Sequence, residues 1–237
     1  MIAAVVVLGT LAVLLAGPVP ARLARASWPA RRPMAALVVW QAIGLAGGLS
    51  LLGTFAALGA RRSVRWIGVV AFGATLLWLV AVLITSAVRV VLARRRHRYL
   101  LDVLAERDRA GVTVLAHPAP AAYSVPGLRS RIVVSRGTFD LLAADELDAV
   151  IAHERAHLRQ HHDLVVQPFV AWRRSFPFLR PAADAARAVE QLVEFLADDA
   201  ARSRVGEVAL DGALATMAEE GYDVTARRRR LYSEAAL

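Results

Sequence analysis

Residues 66–98 read WIGVVAFGATLLWLVAVLITSAVRVVLARRRHR, with no charge before Arg89 and then arginine at 94, 95, 96 and 98. The uncharged part exceeds the roughly 20 residues a helix needs to cross the hydrocarbon core. Two more runs precede it. Residues 35–59 carry no charge, and residues 2–17 carry none and extend to about Ala21 through Pro18 and Pro20. Three spans are therefore expected, at about 2–21, 35–59 and 66–93. Helices buried in a soluble protein are a poor alternative, because they rarely lack a polar face over such a length. A signal peptide competes for the first run, but no basic residue precedes its apolar core as one would in a leader. In the second span, Gly44 and Gly48 form a small-xxx-small pair that lets helices approach closely. Ordinary glycine usage in membrane helices explains them equally well.

Charge is divided as sharply as hydropathy. Residues 1–98 hold 12 arginines and no acid, and residues 99–237 hold 17 arginines and 20 acids, so +12 and −3 make the net +9. The basic balance belongs to the apolar half, which argues against a nucleic-acid-binding domain. Zero cysteine excludes a disulfide scaffold, thiolate metal sites and cysteine nucleophiles. Zero lysine excludes P-loop, Schiff-base and Ser-x-x-Lys chemistry. Nine arginines follow the first and third spans (Arg22, Arg25, Arg31, Arg32, then Arg89, Arg94, Arg95, Arg96, Arg98), against Arg61, Arg62 and Arg65 between the second and third. The richer side faces the cytoplasm. The expectation is a multi-pass protein of the cell (plasma) membrane in contact with lipid. Residues 1–98 form its transmembrane region and 99–237 a cytoplasmic domain.

No Gly/Ser linker separates the third span from Tyr99-Leu100-Leu101, so a helix is expected to continue to about Arg109 and end at Gly111. Val112–Leu115, Ala121–Val125 and Arg131–Ser135 predict short strands, the last two joined by a Pro126-Gly127 turn. A helix follows Asp145, with Asp145-x-x-Asp148 as a capping box. It runs to about His162 and points Leu147, Val150 and Ile151 inward. A second amphipathic helix covers roughly 184–204, with Val189, Leu192, Val193, Leu196 and Ala200 on its apolar side. The soluble part is a small α+β domain.

Within the first of these helices lies His153-Glu154-Arg155-Ala156-His157. Side chains four apart share a helix face, so both imidazoles can hold one Zn²⁺ while Glu154 stands beside the open coordination position. Two solvated histidines on a polar face are the bland alternative. The apolar lead-in Ala149-Val150-Ile151-Ala152 favours a walled site. A catalytic zinc also needs a third protein ligand. Glu194 and Asp198 share one face of the second helix, so the first can ligate while the second orients a ligand imidazole. Spacing alone leaves Glu194 open between a ligand and part of a solvated acidic face with Glu190 and Asp199.

Ala122-Tyr-Ser-Val-Pro-Gly-Leu128, Ile132-Val-Val-Ser-Arg-Gly137, the stretch Asp145–His157 and Glu194-Phe-Leu-Ala-Asp198 together resemble the BlaR/MecR-type membrane metallopeptidases. They are more distantly similar to HtpX and the CAAX prenyl proteases. The resemblance covers about residues 95–204 and implies a gluzincin-type peptidase domain after three transmembrane helices. It further implies one zinc per chain on His153, His157 and Glu194, with Glu154 as general base and Asp198 hydrogen-bonded to a ligand histidine. Two departures stand out. Relatives commonly place an Asp five residues after the second motif histidine, where this chain has His162 with Asp163 beside it. Without lysine there is no acylating Ser-x-x-Lys centre, so β-lactam sensing does not transfer.

The expected function is a membrane-anchored zinc endopeptidase acting on proteins or peptides at the cytoplasmic face, with no nucleic-acid partner. Ala121, Ala122, Tyr123, Ser124 and Val125 are read as an edge strand that receives an extended substrate by main-chain hydrogen bonds, or as an ordinary hairpin strand. Alternatives are a regulatory protease that inactivates one regulator and a scaffold with a structural metal, the latter having no use for a base at Glu154. Arg202 and Tyr222 have the chemistry of an oxyanion donor, but their spacing selects neither. Val165–Pro181 interleaves Phe169, Trp172, Phe176 and Phe178 with Arg173, Arg174 and Arg180, which suits either a membrane interface or core packing. Arg227–Arg230 is read as the flank of a further span or a charge run facing solvent or lipid headgroups. His97 and His117 are read as surface or boundary residues.

Overall fold

The computed structural model describes residues 2–109, 112–127 and 130–235. As the apolar runs require, three helices are long and apolar enough to cross a membrane: Ile2–Leu23, Pro33–Gly59 and Arg62–Leu101. The first comprises α1 (Ile2–Ala16) and α2 (Pro18–Leu23), whose proline stands in the opening turn, where no intrahelical N–H is needed. The single turn α3 (Trp28–Arg31) leads to α4 (Pro33–Gly59), and α5 (Arg65–Leu104) follows a short 3₁₀ turn. A four-stranded sheet comes next, made of β1 (Ala105–Arg109), β2 (Val112–Leu115), β3 (Ala122–Val125) and β4 (Arg131–Ser135). The chain continues through α6 (Arg136–Leu141), α7 (Ala144–Arg159), α8 (His162–Ser175), α9 (Arg180–Val205), α10 (Glu207–Glu219) and α11 (Thr225–Ala235).

Packing divides the chain into two units, Met1–Arg89 with Val166–Leu192, and Val90–Val165 with Val193–Leu237. In the first, α1 lies along α4. The glycines that admit this approach are Gly47, where an added Cβ would stand 3.4 Å from the Leu15 Cβ, and Gly53, where it would stand 3.1 Å from Leu8 Cδ1. Gly44 and Gly48 meet nothing within 4 Å, so the pair singled out by its spacing does not bring these helices together. Helix crossing, not the spacing of small residues, decides which glycines face the partner. Trp40 is buried and meets Phe169 edge-on, with ring centroids 6.3 Å apart. In the same segment Phe178 is largely exposed and stacks edge-on with Phe176. The aromatic stretch thus contributes both to the core and to the surface.

In the second unit the strand order is β1-β2-β4-β3, with β2 parallel to β4 and the other pairs antiparallel. The helix expected to reach Arg109 stops at Leu104. Residues 105–109 instead pair with β2, Ala105 opposite Leu115 and Arg109 opposite Val112. Those backbone groups complete an otherwise open edge of β2, and a tertiary ladder outweighs the local helical pattern. Gly111, the expected helix stop, lies outside the described residues. Ile132-Val133-Val134 is apolar without alternation because both faces of β4 are covered. Val133 packs with Leu101 and Val125, and Val134 packs with Val112 and Ile132, backed by Leu147 and Ile151 of α7.

Two local features position α7. Ser135 caps α6, its hydroxyl accepting from the Thr138 N–H. Gly137 sits so close to the preceding loop that an added Cβ would lie 1.9 Å from the Pro118 carbonyl oxygen. Gly137→Ala is therefore expected to cost about 1–3 kcal/mol, measured as a lowered Tm of the full chain in detergent. At the start of α7 the Ala143 N–H donates to Glu146 Oε2 at 3.1 Å. The capping carboxylate is thus Glu146 rather than the Asp145–Asp148 pair, because the helix begins two residues earlier than expected. It also ends earlier than His162: His161 adopts φ +50° and separates α7 from α8. Behind α7, Ala152 packs with Ala201, Leu210, Leu214, Val224 and Leu231.

Candidate metal centre

His153 and His157 stand one turn apart on α7, and Glu194 and Asp198 one turn apart on α9. His153 is buried, whereas His157 and Glu194 are half-buried. The three candidate ligand atoms converge. His153 Nε2 and His157 Nε2 are 3.1 Å apart. The Glu194 carboxylate oxygens lie 3.3 Å from the first and 3.4 Å from the second. The two distances run to different oxygens of the carboxylate, and with one ligand atom taken from each residue the three atoms lie within 4.8 Å of one another, close enough to share one ion.

The outer nitrogens explain why the inner ones are available. His153 Nδ1 is 2.9 Å from Asp198 Oδ1, and a carboxylate only accepts, so the nitrogen donates. When the ring is deprotonated, it then turns a lone pair inward at Nε2. Arg227 Nε donates to Asp198 Oδ2 at 2.8 Å, and its Nη2 donates to Oδ1. The 3.1 Å between Arg227 Nη2 and His153 Nδ1 follows from two donors sharing one acceptor. His162 is buried, with Nδ1 2.9 Å from His157 Nδ1 and Nε2 3.0 Å from Gln160 Oε1. Asp163 turns elsewhere and pairs with Arg94 at 2.8 Å. Two imidazole nitrogens and a carboxylate face one another at these distances, and this donor set fits a divalent ion.

Electrostatics follow from this crowding. Burial acts against charge on His153, but hydrogen bonds to Asp198 and Glu194 outweigh it and raise the pKa to about 8. Burial, then the neighbouring His153 charge, push His157 down to about 4. Burial likewise lowers His162 to about 4. For Glu194, burial opposes charge, yet His153 holds the carboxyl below its usual range. Asp198 is held low against burial by Arg227 and then His153. Glu154 is raised, chiefly by burial, and accepts hydrogen bonds from the Ser124 side chain and backbone.

The other singled-out residues are dispersed. Among the described residues β3 is a sheet edge, paired with β4 alone. Ala121 precedes it, its N–H donating to Ser135 and Thr138 and its carbonyl accepting from the Ser135 N–H. Ala121 therefore has no free main-chain group to offer an extended substrate. Ala122, Tyr123, Ser124 and Val125 form the strand itself, with Ser124 turned to Glu154. Arg202 pairs with Asp199 and Glu207, and Tyr222 donates to the Pro120 carbonyl at 2.6 Å. His97 meets the Tyr123 hydroxyl and His117 accepts from the Ala119 N–H. The run Arg227–Arg230 is not a uniform solvated face. Arg227 enters the site, Arg228 pairs with Asp211, and Arg230 is buried against both Asp199 oxygens. Nothing in four successive arginines marks the one that reaches Asp198. His162 did carry a signal, its place five residues after His157.

Residues 92–179 match the model of peptidase family M48. A curated relative from Picrophilus torridus, named Protease HtpX homolog, is 33% identical over 98 residues, covering 37% of this chain and 32% of the relative. This chain thus spans about a third of the length of that relative. No solved structure matches. Both findings are likenesses to HtpX-like M48 peptidases over part of this chain. HtpX is the more distant of the resemblances read from the sequence. The family match includes His153, Glu154 and His157 but stops short of Glu194, whose position rests on the geometry alone.

Proposed function

We propose that the chain is a membrane-anchored zinc endopeptidase of the cell membrane, with residues 1–98 as its transmembrane region and 99–237 as a peptidase domain at the cytoplasmic face. The observation that supports this best is the convergence of His153 Nε2, His157 Nε2 and the Glu194 carboxylate at 3.1–3.4 Å, with the carboxylate of Glu154 outside the triad. His153, His157 and Glu194 would hold the ion, which would supply polarisation of the scissile carbonyl and a more acidic water. Glu154 takes the water proton and delivers it to the leaving amine. Burial raises the Glu154 pKa toward the working pH, which suits a group that must both accept and release a proton. Asp198, itself held by Arg227, fixes the ring of His153. Residues 122–125, apart from the Ser124 N–H that Glu154 engages, receive the substrate as an added strand, so recognition runs through main-chain groups and favours unfolded or flexible segments. The excess of arginine after the first and third spans supports the cytoplasmic orientation.

The test uses the full chain in detergent. It is expected to bind about one zinc per chain, to cut an unfolded reporter protein, to stop with a chelator and to resume when zinc is restored. A chain that holds zinc but never cuts, under any of these conditions, returns the scaffold reading. Proton and metal compete for His153 Nε2, whose raised pKa of about 8 means the protonated form dominates below that pH. Apparent zinc affinity is therefore expected to weaken about tenfold per unit as pH falls below about 8, and to level off above it. Competition titrations at pH 6, 7 and 9 check the slope.

A further inference from the structure

His162 is a buried histidine with no acid on either ring nitrogen: His157 Nδ1 lies 2.9 Å from one and Gln160 Oε1 3.0 Å from the other. The His157 and His162 rings meet edge-on, with centroids 4.8 Å apart and an interplanar angle of 85°. His157 Nδ1 thus differs from His153 Nδ1, which has the carboxylate of Asp198. A carboxylate only accepts and so permits one polarity. A neutral imidazole donates at one nitrogen and accepts at the other, and a glutamine side chain can do either.

Two polarities follow. In one, the Gln160 oxygen accepts from His162 Nε2–H, His162 Nδ1 accepts from His157 Nδ1–H, and His157 Nε2 is a bare lone pair facing His153. In the other, the Gln160 amide has rotated and donates to His162 Nε2. His162 Nδ1–H then donates to His157 Nδ1, and the His157 proton sits on Nε2, where a ligand lone pair is needed. Each ring keeps one proton in both, so charge is unchanged: in passing from the first to the second, the His162 Nε2 proton leaves to solvent water at Gln160, the His157 Nδ1 proton crosses to His162 Nδ1, and water in the site supplies the proton taken up at His157 Nε2.

Resting on the metal-site reading above, we propose that Gln160 and His162 form a reversible neutral relay that sets the tautomer of His157. Its first polarity makes His157 a ligand, and its second withholds it. Gln160 and His162 are positioning residues in this relay. Gln160 is exposed at the end of α7, so the relay carries the state of His157 from the site to the protein surface.

The exposure of Gln160 also makes the relay testable without disturbing the core. Gln160→Glu keeps the acceptor and removes the donor, which locks the ligating polarity. Gln160→Leu removes both. Losing a partner outside the ligand set typically costs 10- to 100-fold in metal affinity. Zinc competition with a chromogenic chelator, on the full chain in detergent above pH 7, is expected to give about tenfold weaker binding for Gln160→Leu. Gln160→Glu is expected to bind at least as tightly as the parent, at both low and 0.5 M salt. Equal affinity in the Leu variant, or a gain in the Glu variant that disappears at high salt, overturns the relay. Imidazole ¹⁵N shifts provide a readout independent of activity and of His162 folding effects. Zinc-bound protein should show His157 protonated at Nδ1 and His162 at Nε2, and any other pattern overturns the proposal. A parent that binds no zinc refutes the metal-site reading instead. The shifts of metal-free Gln160→Glu then still report whether the locked polarity forms.

Discussion

Glu154→Gln is expected to lower kcat/KM for peptide cleavage by about 10²–10⁴-fold, the range lost with a general base, while zinc remains bound at the parental stoichiometry. Glu154 stands on the same helix as the two candidate histidine ligands but is not one of the three converging groups. Its neighbours are the Ser124 hydroxyl and N–H, which donate to its carboxylate. Glutamine has nearly the same shape and keeps an oxygen for Ser124, so the substitution removes proton acceptance and little else. Metal analysis and single-turnover cleavage on the same preparation separate the two effects. Activity within a few-fold of the parent removes Glu154 from the chemistry. Loss of zinc together with activity shows that the substitution disturbed the ligands instead.

Arg227→Leu is expected to destabilise the folded chain by about 3–5 kcal/mol, the range for removing one partner of a buried ion pair. The guanidinium engages both oxygens of Asp198, whose side chain is only 7% exposed, and lies 3.5 Å from Glu194. Without it Asp198 keeps its charge in a poorly solvated place with His153 as its main partner. Arg228→Leu is the internal comparison. Its pair with Asp211 is about a third exposed on each side, so the change should cost less than about 1 kcal/mol. Thermal unfolding in detergent is expected to separate the two by on the order of 10 °C. Equal shifts would mean that the buried pair contributes no more than its solvated neighbour.

Local periodicity carried much of this protein. The uncharged runs required three helices of membrane-crossing length, and the alternating and continuous apolar patterns marked β2, β3 and β4 nearly to the residue. The four-residue spacings of His153 with His157 and of Glu194 with Asp198 fixed which side chains share a helix face. These properties belong to one element at a time, where backbone geometry alone sets the neighbours.

Choices among equivalent partners belonged to the tertiary structure. Residues 105–109 had a helical context, and only the free edge of β2 made them a strand. Gly44 and Gly48 had the expected spacing, but the crossing of α1 over α4 selected Gly47 and Gly53. Arg227, Arg228 and Arg230 are chemically identical, yet the path of α11 delivers them to Asp198, Asp211 and Asp199 respectively. His162 became the partner of His157 because the turn at His161 brings it back toward the end of α7. A sequence states which groups can pair within a few residues. Only long-range packing, which fixes distances between elements far apart in the chain, decides which of several like groups do so.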